Sequence, residues 1–475
     1  MQRNETMKRA IPYALILLTA VPALAAAPVG WRTDWTGRYP DADPPTKWSA
    51  SENVVWKTPM PSWSNSTPVI VGERLFVCSE PTTLLCVNVK SGKIIWEKDN
   101  SYLETLPPAE RAKTKALMDQ IDIDGTTKAL RDAQAKLSRV QGQLNRINRD
   151  PNLAAQKEQL AGQLQPQIQQ HQQRVTELND KLKPVSRFVM PNSQTANGYS
   201  SPTPVSDGRH VWVLFGTGTA ACYDLDGNRK WIKFVEKPKD DYGHSTSPLL
   251  VGGNLIVHVL SLTALDKATG EQSWRSSARN GWGTGVVAKI GGEDVIITHQ
   301  GDWFRARDGQ KFADRTHRTQ YNQPVLHDGV VYFVENGGKA FRLPASTADK
   351  PERLWQCNIR KDRYYSSPAY HDGLLYNVTQ FGVFSAVDAK TGSRVYEQKL
   401  DFGQRRIKQC YSSVTLAGKH LHVSTSSGIT ILVEPGRQFK QVARNTLGED
   451  FRCSPVFVGK RMYIRSLKHL WCIGR

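Results

Sequence analysis

Asp266-Lys267-Ala268-Thr269-Gly270-Glu271-Gln272-Ser273-Trp274 is the stretch on which the fold turns. An aspartate stands ahead of a Thr-Gly turn, and a tryptophan follows four residues after the glycine. The short acid side chain can hydrogen-bond its own turn, and glycine supplies the positive φ that such a turn needs. Upstream, Ser247-Pro248-Leu249-Leu250-Val251, Leu255-Ile256-Val257 and Leu262-Thr263-Ala264-Leu265-Asp266 are short apolar segments, the first two separated by Gly252-Gly253. With the strand around Trp274 they make four short strands in one unit.

The unit recurs. Closing turns stand at Ser91-Gly92 before Trp96, Asp226-Gly227 before Trp231, Asp308-Gly309 before Phe312, and Thr391-Gly392 before Tyr396. Openings, in most copies a small polar residue followed by Pro or Val, lie at Pro68, Pro204, Pro248, Val286, Pro324, Pro368, Val414 and Pro455. From Pro204 onward the steps run from 38 to 46 residues. Four short strands at that period predict a blade, so the chain reads as an all-β, eight-bladed propeller of four-stranded blades. The last unit ends after its third strand, at Leu470-Trp471-Cys472-Ile473. The strand Asn53-Val54-Val55-Trp56-Lys57 has no unit of its own. Pairing the two closes the ring and removes free sheet edges. Trp96, Trp231 and Trp274 are expected to be packing posts between blades.

The x-D-x-x-T-G-x-x-x-W pattern, clearest at Asp266–Trp274 and at Asp388-Ala389-Lys390-Thr391-Gly392, resembles the tryptophan-docking repeat of the PQQ-binding-like β-propellers. That family takes in quinoprotein alcohol dehydrogenases and BamB, the propeller lipoprotein of outer-membrane β-barrel assembly. The enzyme branch implies PQQ between a vicinal Cys-Cys disulfide and a Trp, calcium held by Glu, Asn and Asp, and an Asp base. This sequence has no adjacent cysteines and no acidic cluster that reads as a calcium cage. The reading is therefore a non-catalytic, BamB-like binding propeller with no cofactor, no metal and no catalytic set. A PQQ- and calcium-dependent dehydrogenase is the alternative.

Between the first and second units the step is 136 residues. Residues 103–188 are rich in Gln, Lys and Leu. Leu130, Ala133, Leu137, Val140, Leu144 and Ile147 follow heptad spacing. Asp150-Pro151 suits an N-cap and a first helical residue. Leu153, Leu160, Leu164, Ile168, Val175, Leu178 and Leu182 continue the pattern, with a kink expected at Pro166. An inserted antiparallel coiled-coil hairpin is predicted. It would stand on the same face as the propeller mouth and grip a partner or a second copy of this chain. The organisation is thus a signal peptide at 1–25, a closing strand and first blade at 26–102, the hairpin at 103–188 and the remaining blades at 189–475.

The start carries Lys8-Arg9, an apolar stretch from Ile11 to Leu24, and Ala23-Leu24-Ala25 as a cleavage site. This predicts export to the periplasm or exterior, without a lipid anchor at that site, since no cysteine follows it. No other apolar run is long enough to span a bilayer. The 475 residues carry 63 Lys+Arg against 44 Asp+Glu, a formal charge of +19. Such a balance favours an anionic surface, while no nucleic-acid-binding signature is present. Seven cysteines leave at least one unpaired, and Cys78 with Cys86, on neighbouring strands, is the disulfide candidate. Aromatic residues recur ahead of the innermost strands: Trp63, Tyr199, Tyr242, Trp282, Tyr321, Tyr365, Tyr411 and Phe451, with Arg363, Arg405, Arg406 and Arg452 among them. These twelve are the candidate rim of a recognition mouth for an envelope or secreted protein partner.

Overall fold

The computed structural model describes residues 29–475 except 195, 240, 241 and 336; the expected signal peptide lies outside them. Among the described residues, eight antiparallel blades of four strands follow one another along the chain, one of them extended by a fifth, parallel strand. Blades 1 to 7 span residues 69–99, 205–234, 249–276, 286–313, 325–356, 369–399 and 415–446. Blade 8 takes three strands from 456–474 and its fourth from Val54–Pro59. In that strand Trp56 pairs with Cys472 and Thr58 with Leu470. The expected closure is therefore present, and the first and last strands of the propeller hydrogen-bond to each other.

Two repeating devices join the blades. The first is the docked tryptophan. Trp231, on the fourth strand of blade 2, donates its indole N–H to Lys267 O at 3.0 Å in the closing turn of blade 3. Trp96 reaches Leu225 O, Trp274 reaches Ala306 O and Trp355 reaches Ala389 O, each one blade ahead. Trp56 does the same to Val89 O across the closure.

The second device explains the polar residue that opens each repeat. Its backbone N–H donates to the hydroxyl of the matching residue in the next blade. Thr67 donates to Thr203, Thr203 to Ser247 and Ser247 to Thr284, at 3.0–3.2 Å. Gln323 donates to Ser367, Ser367 to Ser413 and Ser413 to Ser454, again at 3.0–3.2 Å. Ser454 returns to Thr67 at 3.2 Å. Blade 5 opens with Gln323 instead of a hydroxyl, and there Gln323 Nε2 donates to Gly285 O at 3.2 Å. A buried belt thus runs round the channel, satisfying groups that would otherwise be costly to bury.

The chain ahead of Val54 crosses that channel. Val29 exchanges two 2.8 Å backbone bonds with Ser206 of blade 2. Arg32, 1% exposed, donates through Nη2 to Pro368 O at 2.9 Å and Val414 O at 2.8 Å, on the opposite side of the ring. Arg38–Tyr39 then adds a parallel strand to Thr415–Ala417 of blade 7. Arg32, Thr33 and Trp35 all have φ between 55° and 69°. A non-glycine residue holds such a backbone only where its surroundings impose it.

The insertion holds three helices: α1 (Pro108–Asp119), α2 (Ile123–Arg149) and α3 (Lys157–Leu182). The predicted hairpin is α2 packed on α3. Ala133 and Val140 on the α2 seam, and Ile168, Leu178 and Leu182 on α3, are buried. Asp150 caps the turn by accepting from Asn152 N at 2.9 Å, but Pro151–Gln156 forms a 3₁₀ turn before α3 begins. Pro166 lies inside α3, which continues through it.

The Cys78–Cys86 bond expected from sequence does not form: all seven cysteines are free and buried. The register explains why. Cys78 stands opposite Leu84 and Cys86 opposite Phe76. The two cysteines are diagonal neighbours on one face, about 7–8 Å apart, whereas a disulfide needs Cβ atoms about 4 Å apart.

Candidate binding site at the propeller mouth

The loops that lead into the innermost strands open on one end of the channel, because each blade is entered there. At that end lies a cavity of about 480 Å³. Its floor includes Trp31 of the channel-crossing segment, with Ser201, Ser245, Thr284 and Ser367 close to the hydroxyl belt. Gln194, Ala196 and Asn197, on the chain returning from the hairpin, form a stretch of its wall.

Seven of the twelve sequence-chosen rim residues line it: Tyr242, Trp282, Tyr321, Arg363, Tyr365, Tyr411 and Arg452. Their rings form a continuous crescent. Tyr242 meets Trp282 edge-on at 6.2 Å, and Trp282 stacks on Tyr321 at 5.4 Å. Tyr321 meets Tyr365 edge-on at 4.8 Å, and Tyr365 stacks on Tyr411 at 4.8 Å. The Arg452 guanidinium lies 5.6 Å from the Tyr411 ring centre, a cation–π distance. Arg363 Nη1 approaches Tyr365 Oη at 3.4 Å.

Carboxylates fix the loops around the mouth. Glu335, 3% exposed, accepts from Gln320 N at 2.7 Å beside Tyr321. Burial pushes its pKa up to about 7, against backbone hydrogen bonds from Gln320, Tyr321 and Tyr364. Glu80 holds the loop ahead of blade 2 in the same way, accepting from Tyr199 N at 2.8 Å and Ser200 N at 2.6 Å.

The other five rim candidates lie elsewhere. Phe451 is 1% exposed and belongs to the core between blades 7 and 8. Arg405 and Arg406 are exposed on a loop away from the cavity lining. Trp63 lines a neighbouring hollow that shares Arg452. Tyr199 sits behind the wall, its hydroxyl donating to Pro191 O at 2.7 Å. Its raised pKa comes first from burial, with Arg131 and Asp124 of α2 among the nearby charges. The base of the hairpin therefore stands beside the mouth.

The fold gathers three histidines that lie far apart in the sequence, His244, His258 and His299. The His258 and His299 rings are 5.9 Å apart, and His244 is close enough to act on both electrostatically. All three are buried, and burial lowers each pKa. No period in the sequence marks them, since their spacing follows the fold and not the repeat. Among the described residues no group of His, Cys, Asp and Glu is arranged to hold a metal.

The mouth can be tested against a calcium–quinone centre. Calcium takes carboxylate and carbonyl oxygens. Among the described residues that line the cavity there is no Asp, Glu or Cys, while two are Arg. This donor set does not fit such a centre.

The family model described as outer membrane protein assembly factor BamB, of the PQQ repeat type, matches residues 43–160 and 192–350, more than half of the chain. The chain belongs to this BamB-like propeller family. No curated protein matches. Among solved structures, BamB from Moraxella catarrhalis is similar at 10% identity and a TM-score of 0.51, covering 88% of this chain and 96% of that one. A europium-containing methanol dehydrogenase is similar at 12% identity and a TM-score of 0.53, covering 90% and 87%. At these identities the likeness concerns the fold, which both a BamB and a dehydrogenase share. Function in this BamB-like chain has to be argued from its own mouth.

Proposed function

We propose that this chain is an exported, non-catalytic binding propeller of the cell envelope that holds a partner protein at its mouth. The observation that carries this is the unbroken crescent of five rings ending in Arg452. Tyr, Trp and Arg are the side chains that most often dominate recognition surfaces. The crescent opens beside the base of a two-helix arm, which offers a second surface to the same partner. Membership of the BamB-like family and the apolar N-terminal stretch support the envelope setting. Among the described residues no helix is long and apolar enough to cross a membrane.

The test is capture from an envelope fraction by the purified chain and by a Tyr365→Ala, Tyr411→Ala, Arg452→Ala variant. The variant should lose most of the captured partner while its melting temperature stays near that of the parent. Unchanged capture, or quinone-dependent dye reduction by the parent with PQQ and calcium, would overturn the reading.

A further inference from the structure

We infer that the mouth cavity binds a short acidic glycan, one that carries carboxylate or sulfate groups. This rests on reading the mouth as the binding element and adds a small ligand within the cavity, beneath the rim on which a partner protein docks. About 480 Å³ is the volume of a pocket for a small ligand or a few linked sugars. A folded protein surface would meet the rim and leave that volume unfilled.

The chemistry of the wall selects among ligands. The ring planes of the crescent turn along its length: Trp282 and Tyr321 are within 19° of parallel, Tyr321 and Tyr365 cross at 70°, and Tyr365 and Tyr411 return to 30°. A flat heterocycle is best held in a parallel sandwich, which this row does not make. A chain of pyranose rings bends from unit to unit. The C–H face of each unit is apolar and slightly electropositive, which suits the negative face of an aromatic ring.

Side-chain amides share the lining with the rings, those of Asn65, Gln194, Asn197 and Gln320. The Asn65 amide N–H groups are engaged by Ala196 O and Ser201 Oγ, and Asn197 donates to Tyr242 O, so a donor and an acceptor together, the pairing that vicinal sugar hydroxyls need, come from Gln194 and Gln320. The charge is one-sided. Arg363 and Arg452 line the cavity, and no carboxylate does among the described residues. Guanidinium forks favour carboxylate and sulfate oxygens. The chain as a whole carries +19, which steers a polyanion toward it.

The experiment is a glycan array of neutral, uronic-acid and sulfated oligosaccharides, probed with the purified chain. Calorimetric titration follows, using the best acidic oligosaccharide, its carboxyl-reduced or desulfated counterpart, and an acidic nonapeptide. The acidic sugar should bind about tenfold tighter than its neutral counterpart. In an Arg363→Gln, Arg452→Gln variant that difference should vanish, with weak binding of both sugars left. Tyr365→Ala should weaken both, and Tyr365→Phe, which keeps the ring face, should restore them. Retention of no acidic glycan, equal affinity for the neutral counterpart, or binding of the peptide alone overturns the inference. If no glycan binds but the Tyr365, Tyr411, Arg452 variant still loses its protein partner, the glycan fails and the mouth reading stands. If glycans bind at the crescent while capture is indifferent to that variant, the protein-partner reading fails instead.

Discussion

Gly270 is held at φ +73°, and a Cβ built on it would lie 2.7 Å from the ring of Trp231. The same conflict recurs at Gly92 with Trp56, Gly309 with Trp274 and Gly392 with Trp355. The Thr-Gly-x-x-x-Trp pattern therefore records two demands met by one glycine: a left-handed turn and a flat landing for the preceding blade's indole. Gly270→Ala should cost about 1–3 kcal/mol, since it adds backbone strain and overpacking together. Gly252 is the control. It has φ +57° but nothing within 4 Å of its Cβ position, so Gly252→Ala should cost only the backbone share. Equal losses for the two in urea titration would show that the docked ring contributes nothing.

At the scale of elements, the hairpin and the blades are separate packing problems. α2 and α3 bury their seams mainly against each other. The propeller clusters, which run from Tyr39 to Ile473, contain no residue of the insertion. The two feet of the insertion, Tyr102–Thr105 and Lys183–Phe188, touch each other. Tyr102 anchors them by donating to Thr217 O at 2.7 Å. Removing residues 107–182 and joining the feet with a short Gly-Ser bridge should leave a folded propeller. Its near-ultraviolet dichroism should be native-like and its melting temperature little changed. An aggregated or molten product would show that the hairpin supports the blades. Heptad spacing made the pair of helices legible from sequence. α1 and the 3₁₀ turn at Pro151 were not legible, because such short elements take their shape from local capping and contact.

For the whole molecule, closure depends on the N-terminal 30 or so described residues more than on any blade. The strand Val54–Pro59 completes blade 8, and the segment before it bridges blades 2, 6 and 7 through the channel. Burial lowers the pKa of Arg32 to about 10, still far above neutrality. A charged guanidinium is thus held at the centre, bonded to two carbonyls. Arg32→Ala would leave Pro368 O and Val414 O without that donor. Each buried group left unsatisfied costs about 1–3 kcal/mol. The variant should melt several degrees lower while keeping its β-sheet dichroism. Arg32→Lys, with one ammonium in place of the fork, should fall between. A melting temperature unchanged in Arg32→Ala would mean that the channel segment does not tie the ring.

What the sequence by itself determined was whatever repeats locally. Turn glycines, the docked tryptophans, eight openings, an orphan strand at one end and a unit lacking its fourth strand at the other were enough for the blade count and for the closure of the strand around Trp56 on the last unit. The aromatic residues of the mouth were legible for the same reason, since one loop position recurs in every blade. The tertiary structure decided what depends on blades meeting around an axis. It placed Phe451 in the core and Arg405 and Arg406 off the cavity. It set Cys78 and Cys86 two residues out of register. It also gathered His244, His258 and His299, and ran Val29–Tyr39 across the channel to floor the mouth with Trp31. Local propensity is written in neighbouring residues, whereas the direction a loop takes and what fills a central channel are settled only when distant blades pack against one another.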